Sequence, residues 1–230
     1  MVFQDPMTSL NPVLTIGEQL FEVIKHLPLN AKEIRIKAED LLREVGISDP
    51  GQRLSAYAHE LSGGMKQRVM IAMAIAANPK VIIADEPTTA LDVTIQAQIL
   101  SLLKKLQQSH KMSLILITHD LGVVAQVCDT VLVMYGGQIV ERASVNQLFE
   151  APQHPYTEGL IRSIESLTDP KADQLYTIPG QVPRLGHFGS GCVFFSRCNR
   201  SEPRCEFEKP RLTGKDHQTA CFVPSSERMS

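Results

Sequence analysis

The chain has 230 residues, 43% of them apolar, which is enough for one substantial core with an appendage and too apolar for a disordered segment. Lys and Arg number 23 against 25 Asp and Glu, so nothing in the charge favours nucleic acid or an anionic membrane surface, and no nucleic-acid partner is expected. No apolar run approaches the roughly 18 residues that span a bilayer, and no basic-then-apolar leader opens the chain, so the expectation is a cytoplasmic protein that reaches a membrane through a partner.

The chain opens on Met1-Val2-Phe3-Gln4, a strand-like start resembling a domain interior, and Asp5-Pro6 and Asn11-Pro12 then signal loops. Ile34, Ala38, Leu41, Leu42 and Val45 recur at helical spacing, ended by Gly46 and Pro50. In Leu61-Ser62-Gly63-Gly64, Ser62 can cap a helix running to about Ala77 and stopped by Asn78-Pro79. A buried strand from Val81 to Asp85 follows. A helix with Ile95, Ile99, Leu102, Leu103 and Leu106 on one face then leads to the apolar run Leu114 to Ile117 and to Thr118-His119-Asp120. Strand, helix, strand, helix predicts an α/β fold with a parallel sheet covered on both faces.

Val131 to Tyr135, Gly136-Gly137 and Gln138 to Glu141 predict a closing hairpin of open turn type. From Ala151 onward, prolines at 152, 155, 170, 179, 183, 203, 210 and 224 are expected to break any long element, leaving a loop-rich tail that needs another source of order. Five cysteines divide unevenly: Cys128 lies in an apolar stretch and is expected to be core packing, whereas Cys192, Cys198, Cys205 and Cys221 crowd the tail. In a reducing compartment such a cluster suggests a metal before disulfides. Their spacing, C-x5-C-x6-C-x15-C, is not the C-x2-C of common zinc sites, and four thiolates suit Zn²⁺ or an iron–sulfur cluster.

Two stretches carry chemistry. Val81 to Asp85 ends in the adjacent carboxylates Asp85 and Glu86, at the end of a parallel strand where open α/β sheets bind ligands; one can hold Mg²⁺ while the other polarises an attacking water. Some twenty residues upstream, Ser62-Gly63-Gly64 at a helix start has the shape of a phosphate site, with free N–H groups and a favourable helix dipole. Taken singly, each is more often an ordinary turn.

Taken together, Gln4, Leu61 to Arg68, Asp85-Glu86, Ala90-Leu91-Asp92 and His119 stand in the order and spacing of the ATP-binding-cassette (ABC) ATPases, and the chain resembles that family over residues 1 to about 142. The resemblance implies a P-loop NTPase sheet with a helical subdomain over about 20–65. It makes Gln4 the glutamine that senses Mg²⁺ and water and faces the membrane subunits. Ser62, Gly63 and Gly64 become the signature motif, contacting ATP held by the opposite subunit, with Gln67 in the same stretch. Asp85 supports Mg²⁺, Glu86 is the general base, Asp92 belongs to the loop linking the two sites, and His119 contacts the γ-phosphate.

The phosphate-cradling G-x-x-x-x-G-K-[ST] occurs nowhere in these residues. In this family that loop and the central strand feeding it precede Gln4, so the expectation is a cassette incomplete at its N-terminus. It would have an open apolar sheet face and negligible turnover by itself. Residues 143–230 resemble the C-terminal extension of oligopeptide and dipeptide importer ATPases, through Gln153-His154-Pro155-Tyr156-Thr157 and Ile178-Pro179-Gly180-Gln181-Val182-Pro183. This implies a peripheral subunit on the cytoplasmic face of a bacterial inner membrane. Its expected partners are a second ATPase subunit, two transmembrane permease subunits and a periplasmic peptide-binding protein. The same resemblance favours a [4Fe–4S] cluster over Zn²⁺ on the four cysteines. A nickel importer subunit and a non-catalytic remnant are the alternatives.

Overall fold

The computed structural model describes residues 1–89, 91–168, 176–184, 186 and 188–225. They fall into two compact units, Met1–His119 and Asp120–Ser230. Ala90 and Gln174, with the other undescribed positions, lie outside the account that follows.

The first unit begins with the short helix α1 (Pro6–Ser9), then α2 (Ile16–Ile24), α3 (Ala31–Glu44), α4 (Pro50–Arg53) and α5 (Gly63–Ile75). It closes with β1 (Val81–Asp85), α6 (Val93–His110) and β2 (Ser113–Ile117). Capping boxes start α2 at Thr15 with Glu18 and α3 at Asn30 with Glu33, each satisfying two backbone donors reciprocally. The second box explains why α3 begins a full turn ahead of the periodic apolar residues. Ser62 caps α5 as expected, its hydroxyl accepting the Met65 N–H at 3.3 Å. At the other end, Lys111 stops α6 in the left-handed conformation, φ 50°.

β1 and β2 pair in parallel, from Val81 opposite Ser113 to Asp85 opposite Ile117. On the other side of β1, Val2 forms a parallel bridge with Ala84: its N–H reaches Ile83 O at 2.8 Å, and Asp85 N–H reaches Val2 O at 2.9 Å. The strand-like opening is thus a sheet neighbour of β1. Ile82 and Ala84 are buried in a core built with Leu20, Ile24, Leu41, Leu42, Ile71 and Leu103. The opposite face departs from the expectation of cover on both sides. Val81, Ile83, Ile115 and Ile117 are all exposed, because no described element packs over them.

The second unit contains α7 (Leu121–Val127), β3 (Thr130–Tyr135), β4 (Gln138–Ser144), α8 (Val145–Glu150), α9 (Pro155–Thr168), α10 (Arg204–Phe207) and β5 (Gln218–Thr219). Its antiparallel sheet has the order β3-β4-β5. Gly136 and Gly137 both have positive φ, 55° and 77°, which settles the hairpin turn as the I′ type that matches strand twist. The register shifts by a bulge between Val133 and Met134, so consecutive residues Val140 and Glu141 both turn inward.

The tail is more ordered than its prolines suggest. Fourteen residues form α9, because Pro155 stands in its first turn, where a missing N–H costs no helical bond. Val193 and Phe194 join the core of β3 and β4. Tyr135, Tyr156 and Phe194 pack edge-on or tilted with centroids 4.8 to 5.4 Å apart. Arg197 binds the carbonyls of Pro179 at 2.8 Å and Ile178 at 3.0 Å, and Arg200 pairs with Glu158. Cys128 is half-buried beside this core, its thiol pushed up by burial and then by Asp129.

Candidate active site

The end of β1 carries the site. Just past the strand, Glu86 sits at a φ of 42°, a left-handed conformation that a side-chain-bearing residue adopts only when its surroundings impose it. Its own N–H is anchored on Ile117 O of the neighbouring strand end at 2.9 Å. That turn points the carboxylate at three partners. Gln4 Nε2 donates to Oε2 at 2.8 Å, Thr89 Oγ1 donates to the same oxygen at 2.9 Å, and His119 Nδ1 lies 3.1 Å from Oε1.

These bonds hold the carboxyl below its ordinary range, the Thr89 hydroxyl first and His119 next, so Glu86 is ionised near neutrality. A carboxylate placed and charged in this way can accept a proton from water. His119 remains largely exposed, with 77% of its side chain accessible, and is free to meet an anion. The three expected residues Gln4, Glu86 and His119, far apart in sequence, thus converge on one carboxylate. Thr89 is the member that sequence reasoning missed. Its signal was a hydroxyl three positions after Glu86 in the turn Pro87-Thr88-Thr89.

Magnesium would need hard oxygen donors. Gln4 offers them, since its amide nitrogen is spent on Glu86 and its carbonyl oxygen is left over. Asp85, half-buried at the strand end, makes no side-chain bond to the Glu86 group among the described residues.

Ser62, Gly63 and Asp92 form a second group. Ser62 Oγ accepts from Met65 N and keeps its own proton to donate to an anion. Asp92 caps α6 through Ile95 N at 2.9 Å, a structural duty its sequence position did not reveal. Gln67, expected in the nucleotide group, is 1% exposed and turned inward from the first turns of α5, with its amide nitrogen unpartnered among the described residues.

In the second unit Cys192, Cys198, Cys205 and Cys221 line a single enclosed cavity of about 10 Å³, room for one water-sized sphere, together with His154 and Phe194. Burial pushes the thiols of Cys192 and Cys198 up, and that of Cys221 to about 11. Among the described residues, no group of three or more His, Cys, Asp or Glu side chains is disposed to hold a metal ion. No described helix is long and apolar enough to cross a membrane.

Comparison with known proteins identifies the class. The ABC transporter family profile matches residues 1–89. Among solved structures, cbiO1 of Clostridium perfringens, described as part of the ABC transporter complex cbiONQ, superposes with a TM-score of 0.58 at 32% identity, covering 65% of this chain and 58% of that one. The ATP-binding cassette MJ0796, solved as a dimer in a post-hydrolysis state with ADP and Pi, gives 0.54 at 31% identity, covering 63% and 61%. The class defined is an ABC ATPase, a family of ATP-hydrolysing transporter subunits that bind ATP and Mg²⁺.

A second profile, the oligopeptide/dipeptide transporter C-terminal region, matches residues 140–205. The oligopeptide transport ATP-binding protein AppD of Bacillus subtilis is 54% identical over 99% of this chain and 70% of its own length. The dipeptide transport ATP-binding protein DppD of Escherichia coli is 51% identical over 97% and 69%. The chain belongs to the oligopeptide/dipeptide branch of the ABC transporter ATP-binding proteins. It spans about 60% of the solved chains and about 70% of these relatives.

Proposed function

We propose that this chain is the ATP-hydrolysing subunit that energises peptide import, contributing to ATP sites shared between two cassettes. The observation that carries it is the convergence of Gln4, Thr89 and His119 on the ionised Glu86. Bound Mg²⁺ supplies charge neutralisation on the phosphates, and Gln4 and Asp85 are the oxygen donors we assign to it. Glu86 takes the proton of the attacking water. Gln4 and Thr89 fix the carboxylate so that no reorientation is needed at the moment of transfer, and His119 meets the developing anion. Ser62, Gly63 and Gly64 serve a nucleotide held by the opposite cassette, with Asp92 in the loop between sites.

A complete site also needs a phosphate-cradling loop, a sequence these 230 residues do not contain. Peptide cargo, rather than nickel, is supported by the C-terminal profile and by the names of both relatives. We place the boundary between cassette and extension near residue 142, and the subunit on the cytoplasmic face of the inner membrane, against permease subunits served by a periplasmic peptide-binding protein. Turnover measured for this chain, alone and mixed with a phosphate-loop-bearing paralogous subunit, tests the reading with Glu86→Gln as control. Glu86-dependent turnover on mixing supports it. None added by mixing makes the chain a remnant whose motifs record ancestry.

For the cysteines, we infer a thiophilic centre, a [4Fe–4S] cluster or in the alternative Zn²⁺, supported by the four cysteines lining one cavity. Iron, sulfide and zinc analysis of anaerobically purified protein decides between them, and absence of all three overturns the centre.

A further inference from the structure

Two loops with a role in the proposed function, Ser62–Gly64 and Asp92, are joined inside this chain by the packing of α5 on α6. A Cβ on Gly64 would lie 2.8 Å from Ile95 Cγ2, closer than side chains tolerate, whereas one on Gly63 would meet Leu91 Cδ2 at an ordinary 3.5 Å. Neither glycine has positive φ, so the backbone conformation itself requires neither. What requires glycine at 64 is the approach of Ile95. Gly63 meets no such demand among the described residues.

Ile95 is also the residue whose N–H the Asp92 carboxylate caps, at 2.9 Å. One turn along α5, Arg68 Nη2 donates to Gln98 Oε1 at 3.2 Å, while Nη1 donates to Val45 O beyond the end of α3 at 2.5 Å. Gly64 and Arg68 are one helical step apart on α5, as are Ile95 and Gln98 on α6, so both contacts fall on one seam.

We propose that this seam fixes the Ser62–Gly64 loop and the Asp92 loop as one unit. Ile95 is the positioning residue between them, and the glycine at position 64 admits it. The inference rests on the proposed function and goes beyond it by naming the residue that couples the two loops. A displacement of the Asp92 loop is then carried to Ser62 and Gly63 through a single side chain, without loss across a flexible joint.

The test is ATP turnover in the assembled transporter, with kcat and KM measured separately, alongside thermal unfolding of each variant. Gly64→Ala is expected to lower kcat by about ten-fold or more, since misplacement on the ångström scale costs up to a hundred-fold. Adding Ile95→Ala to it should raise kcat back to the level of Ile95→Ala alone, while the same change should not rescue Gly63→Ala. A Gly64→Ala/Ile95→Ala protein no better than Gly64→Ala overturns the inference. Should Gly64→Ala fail to fold, Ile95→Ala alone, assayed well below its unfolding midpoint, is expected to reduce kcat several-fold with KM little changed. An unchanged kcat there overturns the positioning role. Wild-type turnover that survives Glu86→Gln instead overturns the proposed function, and this inference with it.

Discussion

Glu141 is the most consequential single residue for the order of the C-terminal extension. It is fully buried, turned inward by the β-bulge, and its carboxylate accepts three bonds. The Gln153 N–H donates at 2.7 Å, the His154 N–H at 2.9 Å and His217 Nε2 at 2.6 Å. One side chain thereby ties β4 to the start of α9 and to the strand β5 that leads to Cys221. In Glu141→Ala both backbone donors lose their acceptor in a dry site, at roughly 1–3 kcal/mol each, and His217 loses a charge-assisted partner. The expected destabilisation is about 3–5 kcal/mol, in the range found when one partner of a buried pair is removed. Urea unfolding followed by far-ultraviolet circular dichroism measures it. Hydrogen exchange at the amides of 153 and 154 localises it: both should lose protection by orders of magnitude. A loss below about 1 kcal/mol, with those amides still protected, would refute the assignment of Glu141 as the tie.

Thr89→Val removes the largest contribution holding the Glu86 carboxyl down, so its pKa should rise and the acid limb of the pH–rate profile of the assembled transporter should move to higher pH, the carboxyl staying ionised near neutrality; an unmoved acid limb would oppose this. His154 is buried, and burial followed by the nearby Arg200 lowers its pKa from 6.5 to about 4. The unfolded chain therefore binds the proton first. Stability is fully present above pH 6.5 and declines as pH falls towards 4, by up to about 3 kcal/mol at 1.36 kcal/mol per unit. His154→Phe should flatten that slope in acid titrations of unfolding, and an equally steep slope in the variant would reject the assignment. Ser62→Ala in a mixed dimer with a phosphate-loop-bearing subunit should reduce turnover, because the hydroxyl both caps α5 and retains a proton for an anion; unchanged turnover argues against a shared site.

Local chemistry was legible in the sequence wherever it depends on near neighbours. The caps at Ser62 and Gly136-Gly137, the period of α6 and the apolar run of β1 each follow from spacing alone. The order of Gln4, Ser62–Gly64, Asp85-Glu86, Asp92 and His119 placed the chain in its family, because the separations within a fold are set by the lengths of its elements. Sequence could not show that Gln67 turns inward, since a glutamine on a helix start is compatible with either face and only the neighbouring helices decide. Nor could it show that Thr89 joins the Glu86 group, or that Glu141 is buried. The first needs the left-handed turn at Glu86, and the second needs a one-residue bulge that inverts the inward and outward faces of β4. In the tail only the fourteen-residue α9 departs from the loop-rich reading, and the source of order that reading left open is contact between distant residues, Arg197 with Pro179 and Glu141 with His217. Sequence by itself determined most of the elements and the family, and nominated residues for the chemistry. Tertiary structure alone decided which side chains face each other, because facing is fixed by packing across elements and not by neighbours along the chain.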